Sequence, residues 1–107
     1  MQVNVTRKKF IFSPDSSRVI ARFLYLDDER SADIIRKVLA MPENEVNVAM
    51  SQLLRGYSRR HRNISQIFGK HFDRLAPIFD KIEVNKEDLS MPQKALIGSY
   101  FTMEYSI

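Results

Sequence analysis

The apolar side chains Val46, Ala49, Met50, Leu53, Leu54 and Tyr57 fall at i, i+3, i+4, i+7, i+8 and i+11. That spacing draws one continuous stripe along an α-helix. Such a stripe is stable only when covered, so the chain must supply other apolar faces to pack on it. Glu43 and Glu45 stand at the electropositive start of this helix, and Arg55, Arg59 and Arg60 at its electronegative end, complementing the backbone dipole.

The neighbouring segments supply those faces. Asp27-Asp28-Glu29 offers an N-cap and two further negative charges at a helix start, followed by Ile34, Ile35, Val38 and Leu39 at helical spacing. Capping accounts for these three acids better than a metal or acid/base cluster does, because the periodicity begins one turn later. Met41-Pro42 separates that helix from the striped one, since proline disfavours helix in the residue before it. Asn63 can cap a third helix with Ile64, Ile67, Phe68, Phe72 and Leu75 inward, which Pro77 should end or kink. Ile78, Phe79 and Ile82 continue an apolar face into a polar linker over residues 83–88.

Ser90-Met91-Pro92-Gln93 opens a fourth helix with a capping box. Residues 95–107 are apolar or aromatic on nearly every side, so this segment is expected to need cover on two faces. At the other end, residues 3–12 and 19–26 are rich in β-branched and aromatic side chains and flank the turn signal Ser13-Pro14-Asp15-Ser16. The expected fold is therefore mainly α: a small domain of about four helices over residues 1–107, with a short N-terminal β-hairpin or extended arm.

At 107 residues the chain makes at most one domain, burying about two-thirds of its unfolded surface. There is no cysteine, hence no disulfide, thiolate ligand or thiol nucleophile, and a cytoplasmic location is expected. No apolar run approaches the roughly eighteen residues of a membrane span. With three glycines, Gly56, Gly69 and Gly98, neither a phosphate loop, a dinucleotide fingerprint nor a nucleophile elbow can be written. The acids gather at helix starts and in the linker, so no catalytic residue and no metal site is assigned.

The densest charge lies in Arg55-Gly56-Tyr57-Ser58-Arg59-Arg60-His61-Arg62. Four like charges this close either splay into solvent at a helix end or are held together by an anion. Arg59, Arg60, His61 and Arg62 are thus the candidates for an anion or substrate-proximal site. His71, beside Phe72, has no other nitrogen or carboxylate at metal-ligand spacing and reads as a packing residue at the core edge. The net charge of +4 is modest for nucleic-acid binding. A small helical nucleic-acid binder, with the arginines on phosphates and Asn63, Ser65 and Gln66 toward bases, is the alternative reading.

The string Ile97-Gly98-Ser99-Tyr100-Phe101-Thr102-Met103-Glu104-Tyr105-Ser106 resembles the segment that runs into the catalytic β-propeller in the β-mannoside phosphorylase and β-mannosidase family, glycoside hydrolase family 130. Ser17-Arg18-Val19-Ile20-Ala21-Arg22-Phe23, the helix pair around Met41-Pro42-Glu43, and Arg59-Arg60-His61-Arg62 followed by His71-Phe72 are similar to the same family's N-terminal region, in the same order. The family commonly has Arg-Pro-Phe where this chain has Arg22-Phe23. The resemblance implies an inverting enzyme on β-mannosides, in which inorganic phosphate as co-substrate attacks the anomeric carbon while an aspartic acid protonates the leaving oxygen. That aspartate belongs to the propeller. The chain is therefore expected to be an N-terminal accessory or oligomerisation region, inactive alone, with no cofactor of its own and the propeller as its partner. Leu96, Ile97, Tyr100, Phe101 and Tyr105 are the expected self-association residues.

Overall fold

A computed structural model of the protein describes residues 4–5, 19–55 and 64–106, with side chains over 21–55 and 64–103. The protein is mainly helical, as expected. Strand β1 (Asn4–Val5) and strand β2 (Val19–Phe23) precede helices α1 (Asp28–Leu39), α2 (Glu43–Arg55), α3 (Ile64–Asp73) and α4 (Ala76–Lys81). A 3-10 turn (Lys86–Asp88), helix α5 (Met91–Tyr100) and strand β3 (Thr102–Ser106) complete the described order.

Local signals place the helix starts. The Asp27 side chain accepts from the Arg30 N–H at 2.8 Å and caps α1. Ser90 and Gln93 exchange the two bonds of a capping box at the start of α5, at 3.2 and 2.8 Å. The carbonyl of Pro42 accepts from Val46 and opens α2. Pro77 falls in the first turn of a separate helix, where its missing N–H is harmless, so the third helical pattern is split into α3 and α4. That split gives five α-helices among the described residues, where about four were expected.

Helix α4 is followed, after its C-cap Ile82, by Glu83, which has a φ of 57°. The Glu83 N–H bonds the Asp80 carbonyl and the Val84 N–H bonds the Phe79 carbonyl, the paired arrangement that usually carries glycine at the left-handed position.

The C-terminal segment departs most from expectation. It is not one helix to residue 107: α5 stops at Tyr100 and the chain turns into β3. Nor do β1 and β2 pair with each other as a hairpin. Both lie antiparallel on β3, which occupies the middle of the three-stranded sheet, with Asn4 opposite Ser106, Val19 opposite Ser106 and Phe23 opposite Thr102. The Leu24 N–H extends the β2 pairing to the Phe101 carbonyl at 2.7 Å.

Helix α5 is the centre of the helical layer, packing on α1, α2 and most extensively on α3. Its all-round apolar character is explained by this position. Leu96, Ile97 and Phe101 are 3%, 0% and 0% exposed, in one core with Ile35, Val38, Val46, Met50, Phe72, Leu75 and Phe79. Ile64 and Phe68 form a smaller cluster under Ala21. The α2 stripe is buried at Val46 and Met50 and half-buried at Ala49 and Leu53, while Leu54 is 41% exposed. Among the described residues no helix is long and apolar enough to cross a membrane.

Candidate functional site

Of the expected site residues, Arg59, Arg60, His61 and Arg62 lie outside the described residues, as do Tyr57 and Asn63. The self-association set is corrected in part. Leu96, Ile97 and Phe101 belong to the chain's own core, because α1, α2 and α3 together cover α5 on the faces that seemed to lack cover. Tyr100 is 50% exposed and stays on the surface, and the side chain of Tyr105 is outside the described set.

The structure assembles a different site. A groove of about 360 Å³ runs between β2 and the C-terminal end of α3, lined by Ala21, Arg22, Phe23, Tyr25, Lys70, His71 and Arg74. Its foundation is Phe23. That ring lies near-parallel to Phe101 (6.0 Å, 12°) and receives Tyr25 and His71 edge-on at 4.8 and 5.4 Å. The Arg74 guanidinium sits 5.4 Å from the Phe23 centroid and donates from Nη1 to the Tyr25 hydroxyl at 2.8 Å. Arg74 is thus fixed on two sides, by a ring face and by an acceptor.

His71, 7% exposed, confirms the reading of a packing residue and adds a proton assignment. The Thr102 hydroxyl donates to the Gly98 carbonyl at 2.9 Å, so its oxygen must accept the 2.7 Å bond from His71 Nδ1–H. Burial, and secondarily the charge of Arg74, lower the His71 pKa from its usual 6.5. At neutral pH the ring is therefore neutral, with its proton on Nδ1 and an accepting lone pair on Nε2.

The described lining contains three cationic side chains and no carboxylate. Lysine and arginine only donate, and the Tyr25 oxygen, having accepted from Arg74, keeps its own O–H to give. Chemically the lysine, arginine and tyrosine are a donor set suited to an oxyanion, beside the accepting Nε2 of His71. Glu43 and Asp88 border another cleft, but both are exposed, and a glycosidase acid needs an apolar setting to hold its proton. Among the described residues no group of three or more His, Asp or Glu side chains could hold a metal ion.

The sequence carried a faint signal for the groove. Lys70 and Arg74 repeat at i, i+4, a like-charge pairing that helix stability alone disfavours. That Arg22 and Tyr25 would face them was not readable locally. Comparison with protein-family models, with curated proteins and with solved structures yields no match.

Proposed function

We propose that this chain is the N-terminal helical region of a β-mannoside phosphorylase, serving an enzyme that converts β-mannosides and phosphate to mannose 1-phosphate and contributing no catalytic acid of its own. The supporting observation is a convergence. Three of the segments that carry the resemblance, around Arg22-Phe23, His71-Phe72 and residues 97–106, meet in one cluster: Phe23 against Phe101, His71 bonded to Thr102, and β2 paired with β3. Short matches scattered by chance have no reason to coincide in space, whereas segments retained to build one junction do.

In this reading β3 and the surface around Tyr100 lie on the path toward the propeller, and a cytoplasmic location fits a chain without cysteine. The test is release of mannose 1-phosphate from β-mannobiose and phosphate, measured for the 107-residue chain and for the complete reading frame that contains it. Activity is expected only with the complete frame, which should encode a propeller beyond Ile107. Turnover by the 107-residue protein above a heat-killed control, or a complete frame without a propeller, would overturn the proposal.

A further inference from the structure

We propose that the groove between β2 and the end of α3 binds a phosphate-type oxyanion, either inorganic phosphate or the phosphate of a monoester, through Lys70, Arg74 and Tyr25. This does not rest on the family reading. It also differs from the anion site expected at Arg59 and Arg62.

Three observations carry it. First, the described lining is electrostatically one-sided: Lys70 and Arg74 carry positive charge there and no described residue of the lining is a carboxylate. The dipole at the end of α3 offsets only about half a unit charge, so Lys70 and Arg74 alone leave a clear positive excess. Placing these cations together costs stability unless an anion shares the space. Second, donors outnumber acceptors in the described lining, where the one accepting ring nitrogen is His71 Nε2. Arg74 spends Nη1 on Tyr25 and keeps further N–H groups, Lys70 has three, and Tyr25 retains its hydroxyl proton. Third, the arginine is pre-organised. The Phe23 ring, stacked on fully buried Phe101, lies 5.4 Å from the guanidinium carbon, and the Tyr25 hydroxyl accepts from Nη1 at 2.8 Å. Little side-chain entropy is then lost on binding, and a planar fork matches two phosphate oxygens.

The experiment is thermal melting of the full 107-residue chain in inorganic phosphate, in mannose 1-phosphate and in chloride at matched ionic strength. At phosphate about ten times its Kd, the folding equilibrium constant should rise about 11-fold over the chloride control. Lys70→Gln combined with Arg74→Gln removes two charge-assisted contacts, each about tenfold in affinity, and should abolish that rise. Arg59→Ala combined with Arg62→Ala should keep it. A larger shift with mannose 1-phosphate assigns a monoester, and an equal or smaller one assigns inorganic phosphate. A phosphate shift no larger than that of chloride, one that survives the Lys70 and Arg74 replacements, or one lost with Arg59 and Arg62 overturns the proposal. If the Lys70 and Arg74 double variant does not fold, amide shifts of the unaltered chain on phosphate titration decide: perturbation centred on residues 22–25 and 70–74 supports the site, and perturbation elsewhere or none refutes it.

Discussion

Replacing Gly98 tests the packing on which the whole architecture depends. A Cβ built at Gly98 would lie 2.0 Å from the Phe68 carbonyl oxygen, 2.7 Å from its carbon and 3.1 Å from its Cα. A tolerable C···O approach is about 3.3 Å, so α5 and α3 must separate by about 1 Å or more. The obstructing atoms are helix backbone, which cannot turn aside like the end of a flexible side chain. Separation would loosen the contacts of Phe68, Phe72, Leu96, Ile97 and Phe101, all buried. Overpacking of this kind costs about 3 kcal/mol at the upper end of its usual range. Gly98→Ala regains about 1 kcal/mol of helix propensity, leaving a net loss of about 2 kcal/mol. For a domain of this length that corresponds to a fall in Tm of about 8 °C.

Gly69 provides the control within the same helix pair. Nothing lies within 4 Å of a Cβ at that position, so Gly69→Ala gains the propensity without the clash. It should stabilise by about 0.5–1 kcal/mol and raise Tm by a few degrees. Circular dichroism melts and urea titrations, with an unchanged m-value, would measure both. A Gly98→Ala protein that melts at or above the parent would refute the close approach of α5 to α3.

Three further outcomes follow from the same geometry. Thr102→Val removes the acceptor of the buried His71 Nδ1–H and should cost about 1–3 kcal/mol in urea, whereas Thr102→Ser should recover most of it. Because the folded pKa of His71 is lowered, the unfolded chain binds the extra proton first as pH falls below about 6.5. Stability supplied by the neutral ring is thus present above that pH and is lost on acidification, and His71→Asn should flatten the Tm profile between pH 7.5 and 5; an equally steep profile in the variant would assign the dependence elsewhere. Glu83→Gly should raise stability by about 1 kcal/mol, since glycine adopts the positive φ without the penalty of a Cβ, and a loss on denaturant titration would count against the turn as described.

The sequence by itself determined whatever is encoded within a few turns of chain. The spacing of Val46 to Leu53, the Asp27 cap, the Ser90–Gln93 capping box and the break at Pro77 each act over three or four residues, and each appears in the fold. The strand at Thr102–Ser106 was also written locally, as alternation of Thr102, Glu104 and Ser106 with Met103 and Tyr105, but the apolar run before it masked the change of period. Tertiary structure alone decided the rest. An all-round apolar helix is equally consistent with a central helix and with one awaiting a partner, and only the packing of α1, α2 and α3 around α5 distinguishes them. The groove likewise depends on β2 being held against β3. Arg74 meets Tyr25 across 49 positions of sequence, a separation over which no periodicity or capping signal operates and only the assembled core fixes the distance.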